Sequence, residues 1–333
     1  MNNCADSLWT SRPRCCLCDG YWIMDCHFDF SLHCVSEVDD CVQSGEVVYL
    51  VYLLAWKIVS FLPEKTAYQV ANLVSDYLFK RNGKGVKRLR SNYRKVLPEI
   101  SNNELENLTK LGMRSYLRYW FDTFRLNTWS KSKIIEGTTV KRENLLRDPI
   151  ALKQGCIVAL PHAGNWDHAA AYFCSTGITL TAVVEKLKPE AIFKKFLEYR
   201  SSIGIEPISH KEKTIPILLE RLAAGKLVAL VADRDMSRNG IEVNFMGGIA
   251  KMPSGPAILA IKSGSPLLTA YIRYLSDGIE ITFDETIKLP ISGTLEEQIK
   301  IVTQSMADNF AKRIIESPVD WHMLQRIWID EEN

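Results

Sequence analysis

Six short apolar runs, CIVAL (156–160), TLTAVV (179–184), IEPIS (205–209), KLVALVA (226–232), PLLTAYI (266–272) and IEITF (279–283), constrain this chain most strongly. Helical stretches at 166–175, 189–203, 213–224 and 253–263 separate the first five. A strand that must reach a parallel neighbour needs a crossover, and a helix is the usual one. The alternation therefore predicts an α/β fold with a mixed, largely parallel central sheet flanked by helices. A long helix over 294–317 closes the pattern. At 333 residues, 47% apolar and 24% charged, the chain has enough apolar surface for a large core.

The N-terminal half reads differently. Residues 47–62, VVYLVYLLAWKIVSFL, are almost wholly apolar and end at Pro63. Sixteen residues fall short of the roughly 20 that span a bilayer as a helix, so a core or interfacial helix is expected. Helices over 66–81 and 101–126 follow, the second opened by Ser101 and Glu104 in capping-box spacing. Between them, residues 80–95 carry eight basic side chains and no acidic one, which suits an anionic surface. These features divide the chain into a Cys-rich extension over 1–44, a helical, basic, membrane-associating region over 45–130, and an α/β core over 131–333. The last two are expected to form one compact unit. Seven of nine cysteines fall before residue 42, in spacings that match no paired C-x2-C zinc pattern. With no periodicity and a distinct composition, 1–44 is expected to be disordered or to lie outside the working protein.

The chemistry-bearing stretch is PHAGNWDH, 161–168, at the exit of the first core strand. Ligand-handling groups in open α/β sheets collect outside the carboxyl ends of strands. Gly164 allows a sharp turn, Asn165 is placed to cap a helix, and Asp167 falls in that helix's first turn. A carboxylate held against one nitrogen of His162 would fix its tautomer and leave the other nitrogen free to take a proton. Asp167 is the expected orienting acid and His162 the expected base. No G-x-S-x-G nucleophile elbow is present, so the attacking hydroxyl is expected to come from a second substrate. A metal site built from His162, Asp167 and His168 lacks a further local ligand, and no metal is expected.

PHAGNWD resembles the corresponding motif of glycerolipid and lipid A-type acyltransferases. The segments 183–204, 232–267 and 320–328 are similar to those of the phosphatidylinositol mannoside acyltransferases, and the resemblance runs from about residue 47 to the end. It implies transfer of a fatty acyl group, commonly palmitoyl, from acyl-CoA to a mannose hydroxyl of phosphatidylinositol mannoside, with no other cofactor. In it, His162 would act as general base. Arg200 and Arg234 are candidate donors to the developing oxyanion. Asn165, Glu185, Asp233 and Glu242 are candidate substrate contacts, with Glu242 favoured for acceptor hydroxyls or the His162 relay. The helix opened by Lys251–Pro256 could hold a phosphate. The expected partners are a membrane glycolipid, acyl-CoA and an anionic membrane surface, without nucleic acid. The expected location is peripheral, on the cytoplasmic face of the inner or plasma membrane. Another glycolipid acceptor, lipid A-like, and a non-catalytic lipid-binding protein of the same fold are the alternatives.

Overall fold

The computed structural model describes residues 38–184, 190–209, 214–235, 237 and 239–330. Of the Cys-rich extension, residues 1–37 lie outside that range, as does Glu185.

Four helices open the described chain: α1 (Val38–Phe61), α2 (Glu64–Arg81), α3 (Lys84–Val96) and α4 (Asn102–Arg125). Their boundaries follow from local chemistry. Pro63 precedes the first turn of α2, where a missing N–H costs nothing. Asn82 ends α2 in the left-handed conformation that asparagine tolerates. Ser101 and Glu104 close a reciprocal capping box at the start of α4, as their spacing predicted.

The α/β part follows: α5 (Lys131–Glu136), β1 (Thr138–Lys141), α6 (Asn144–Ala151), β2 (Cys156–Leu160), α7 (Trp166–Ser175), β3 (Leu180–Val184), α8 (Glu190–Ser202), β4 (Ile205–Ser209), α9 (Thr214–Ala223) and β5 (Leu227–Val231). A hairpin of β6 (Ile241–Phe245) and β7 (Gly248–Met252) leads to α10 (Gly255–Ser263), β8 (Leu267–Leu275), β9 (Gly278–Phe283) and α11 (Leu295–Glu316). The main sheet has seven strands in the order β1-β9-β8-β2-β5-β3-β4. Every pairing is parallel except β8 with β9, which a short turn joins antiparallel. All six sequence-predicted strands form. The edge strand β1 and the strand β7 were not anticipated, because four half-exposed residues and a hairpin arm carry little apolar signal. Pro207 is tolerated in β4 because that strand is an edge.

One hydrophobic core runs from α1–α4 through the sheet to the C-terminal segment. Helices α9, α10 and α11 form one helical layer. Helix α7 lies on the layer backed by α4 and α5, against β3, β4 and β9. Helix α1 packs inward through Tyr52 and Trp56, whose rings meet Phe124, Phe196 and, for Trp56, Tyr199. Its outer face leaves Leu50, Val51, Leu54, Ile58 and Phe61 exposed. Among the described residues no helix is long and apolar enough to cross a membrane.

Much of the basic stretch is tied into the protein. Arg90 pairs with Glu106, Arg94 bonds Asn102 and the Ile100 carbonyl, and Lys95 sits over the Trp328 ring at 4.7 Å. Lys80, Arg81, Lys84 and Lys87 remain exposed around the start of α3.

Candidate active site

The site forms where β2 and β5, neighbours in the sheet, release their chains. Leu160 pairs with Val231, so the residues that follow each strand emerge side by side. His162 follows β2 and Asp233 follows β5. The His162 Nδ1–H donates to Asp233 Oδ1 at 2.5 Å, and the His162 backbone N–H donates to Oδ2 at 3.0 Å. Trp321 Nε1–H donates to the same Oδ2 at 3.0 Å. Asp233 is fully buried. Burial alone would raise its carboxyl, but the His162 charge and these hydrogen bonds outweigh it and hold Asp233 below the usual carboxylate range. An ionised Asp233 accepts from Nδ1, which fixes the proton there and leaves the His162 Nε2 lone pair free. The imidazole is 41% exposed, so Nε2 can meet a substrate.

The sequence assigned this orienting role to Asp167, and the structure corrects it. Asp167 sits in the first turn of α7 with its side chain turned to Arg200, whose Nε–H donates to Oδ1 at 3.0 Å. Tyr119 donates to its Oδ2 at 3.3 Å. The sequence-local argument placed a carboxylate five residues from the imidazole, but α7 carries it toward α8 and α4 instead. Asp233, expected to contact substrate, has its oxygens occupied by His162 and Trp321.

Gly164 shapes the turn between the histidine and α7. Its φ is +58°, and an added Cβ would lie 2.5 Å from the Ile272 carbonyl oxygen. Asn165 is the N-cap of α7, accepting from the His168 backbone N–H at 2.8 Å. Fully buried, it caps the helix. Trp166 stands edge-on to the His162 ring, with centroids 5.8 Å apart, and packs on Tyr119 at 4.2 Å.

The other expected residues are spread out. Arg234 Nε–H donates to the Arg326 carbonyl at 2.5 Å, tying its loop to the C-terminal segment. Glu242 lies on β6, 59% exposed, and pairs with Lys251 on β7 at 3.6 Å rather than with His162. The helix expected to open near Pro253 begins at Gly255. His168, weighed as a metal ligand, is buried against Thr138, the Ile134 carbonyl and the Trp129 ring. Burial pushes its pKa down to about 4. Among the described residues no three His, Cys, Asp or Glu side chains converge in a metal-binding group.

Sequence reasoning missed two contributors. Trp321 is core, yet its indole N–H also holds Asp233. The backbone N–H of His322 donates to the His162 carbonyl at 2.7 Å, and Ala163 bridges to Trp321, which pins the histidine loop from the far end of the chain. The only signal was the aromatic density of DWHMLQRIW. His322 itself is buried. Its Nε2 meets Ser115 at 2.9 Å, while Nδ1 is buried with no hydrogen-bond partner among the described residues. Burial pushes its pKa down to about 3.

Beside Trp166 and the Asp167–Arg200 pair opens a cavity. It lies between α7 and the sheet face that carries Val158, Leu160, Ala229 and Val231. Among the described residues its only charged lining residues are Asp167 and Arg200, which bond each other. A mostly apolar cavity with a few polar groups at one end is the usual form of a ligand site.

The fold is α/β, and its similarity to known proteins gives its class, an acyltransferase. A family model described as bacterial lipid A biosynthesis acyltransferase matches residues 43–329. The chain is similar to phosphatidylinositol mannoside acyltransferase of Mycolicibacterium smegmatis, 35% identical over 288 residues, which is 86% of this chain and 92% of that one. It is also similar to the protein of the same name from Mycobacterium tuberculosis, 35% identical over 283 residues, covering 84% and 87% of the two chains. The chain belongs to the bacterial lipid A biosynthesis acyltransferase family, and it is an acyltransferase.

Proposed function

We propose that this enzyme transfers a long fatty acyl group, palmitoyl in the first instance, from acyl-CoA to a mannose hydroxyl of phosphatidylinositol mannoside. The single observation that carries the chemistry is the Asp233–His162 pair, beside Trp166, which also lines an apolar cavity. The named activity of the 35%-identical relatives supports the acceptor.

In this reading the acceptor hydroxyl approaches His162 Nε2. As its oxygen attacks the thioester carbonyl, Nε2 takes the proton and the imidazolium is stabilised by Asp233. The carbonyl π electrons move to oxygen and a tetrahedral oxyanion forms. Arg200, which lines the cavity, is the favoured donor to that oxygen. Collapse re-forms the carbonyl and breaks the C–S bond. The CoA thiolate leaves and takes the proton back from His162. The ester product and free thiol balance the atoms, and no further cofactor is required. General-base assistance of this kind is worth about 10²–10⁴-fold.

The acyl chain occupies the cavity under α7, where methylene burial contributes about 0.8 kcal/mol each. The exposed apolar face of α1 and the exposed lysines and arginine around the start of α3 suit peripheral docking on an anionic bilayer, at the cytoplasmic face. The test supplies purified full-length protein with isotopically labelled palmitoyl-CoA and either mannosylated phosphatidylinositol or a lipid A-like disaccharide, and identifies products by mass spectrometry. Acylation of the mannosylated lipid is expected. Acylation of the disaccharide alone would replace the acceptor, and no transfer to either would remove the reading.

A further inference from the structure

Three consecutive residues, Asp320, Trp321 and His322, grip the catalytic pair at three points. The Asp320 carbonyl accepts from the Gly164 backbone N–H at 2.9 Å, and the His322 backbone N–H donates to the His162 carbonyl at 2.7 Å. Between them, the Trp321 indole N–H donates to Asp233 Oδ2 at 3.0 Å. One tripeptide therefore fixes the backbone on both sides of Ala163 and the carboxylate that orients the imidazole. No strand or α-helix includes this tripeptide, so its own position must come from elsewhere.

The helical region supplies that position. From α3, the Tyr93 hydroxyl is shared between the Val319 carbonyl at 3.2 Å and the Trp321 carbonyl at 3.3 Å. Its neighbour Asn92 donates through Nδ2 to the Met323 carbonyl at 2.6 Å and the Gln325 carbonyl at 3.0 Å. Both side chains are fully buried. From α4, the Ser115 hydroxyl donates to Asp320 Oδ1 at 2.5 Å, which leaves its oxygen to accept from His322 Nε2–H at 2.9 Å. The two ends of the tripeptide thus hang on one serine and its middle on one tyrosine. Gly112 of α4 makes room for this arrangement, since a Cβ there would collide with the Tyr93 hydroxyl.

We propose that Ser115 and Tyr93 are positioning residues for His162, acting through the tripeptide 320–322, so that α3 and α4 set the geometry of the catalytic pair. The inference rests on the acyl-transfer reading with His162 as base. Neither hydroxyl bonds to His162 or Asp233, and each acts by removing freedom from the loop that carries the imidazole. Displacing a reacting group by about 1 Å costs on the order of 10²-fold in rate, so a partial loosening of this clamp is read in kcat.

The test compares Tyr93→Phe, Ser115→Ala and Ser115→Thr with the parent in transfer from palmitoyl-CoA to mannosylated phosphatidylinositol, with a melting curve for each. Tyr93→Phe and Ser115→Ala are expected to lower kcat by about tenfold while KM for both substrates stays within about twofold. Ser115→Thr, which keeps the hydroxyl, is expected to recover most of the loss. A side chain that only stabilised the fold would lower the melting temperature and leave kcat of the folded enzyme alone, so parental kcat in both deletion variants would overturn the proposal. Combining Ser115→Ala with Trp321→Phe is expected to cost less than the two losses multiplied, because both act through one tripeptide, and strictly multiplicative losses contradict it. Should the variants fail to fold, amide hydrogen exchange on the parent decides. The Gly164 and His322 amides are expected to exchange as slowly as those of β2, and rapid exchange at either contradicts the clamp. A parent that protects both amides but transfers nothing would overturn the function and leave the clamp standing. Activity lost in His162→Gln but intact in both deletion variants would do the reverse.

Discussion

Asp233 and His162 are 71 residues apart in the chain, and 2.5 Å separate the Asp233 carboxylate from the His162 ring nitrogen. The contact is a consequence of sheet order, since β2 and β5 are adjacent and parallel. Three N–H donors hold the carboxylate ionised in a fully buried setting. Asp233→Asn is therefore expected to scramble the His162 tautomer and lower kcat by about 10²–10⁴-fold while the fold survives. Steady-state kinetics with a parallel melting curve checks this.

The Asp167–Arg200 pair makes a different prediction. Asp167 is almost completely buried and Arg200 mostly so, and breaking a buried pair strands a charge. Asp167→Asn alone is expected to cost about 3–5 kcal/mol of stability. Joined with Arg200→Gln it is expected to cost clearly less than the two single losses added together. A double-mutant cycle in urea reads that coupling, and strict additivity would show that the pair is not coupled.

Asp122 provides a pH test. Desolvation by burial raises its carboxyl to about 6, against which Arg118 and the Tyr68 hydroxyl, donating at 2.7 Å, act only in part. Between the unfolded pKa near 4 and about 6, the folded state binds the extra proton. This group's contribution to stability is present at low pH and falls as pH rises through that window. His322 and His168, held neutral with pKa values about 3 and about 4, act oppositely below roughly pH 6.5. The difference between Asp122→Asn and the parent isolates Asp122. The variant is expected to gain roughly 2–3 kcal/mol relative to the parent between pH 4 and pH 7.5, read from denaturant curves.

The outer face of α1 is expected to govern association with lipid. Leu54 is 60% exposed and Phe61 79% exposed. Replacing both with aspartate is expected to weaken binding to anionic vesicles by well over tenfold, with kcat on detergent-dispersed acceptor little changed. Vesicle sedimentation measures it. Raising the salt concentration is expected to weaken the parent's binding as well, since Lys80, Lys84 and Lys87 are exposed.

The strands were legible because each is an apolar run bounded by helix or turn signals, and CIVAL appears as β2 with the limits read from sequence. The capping box at Ser101 was legible for the same local reason. The partner of His162 was not. Periodicity reveals that a segment is a strand but not which strand lies beside it, so the residue after β5 could not be placed next to the residue after β2. Asp167 looked suitable because it was close in sequence, yet the first turn of α7 points it away toward Arg200. Trp321 was hidden by a similar ambiguity, since an indole that packs in a core and one that donates to a carboxylate read identically in a sequence. No single segment reveals the cavity, because its lining residues come from separate helices and strands.

The most direct measurement of the central claim is single-turnover transfer from labelled palmitoyl-CoA to mannosylated phosphatidylinositol by the parent and by His162→Gln, with circular dichroism confirming that both are folded. The account predicts rapid product formation by the parent and a rate about 10²–10⁴-fold lower for the variant. Product formed by folded His162→Gln at the parental rate would contradict it.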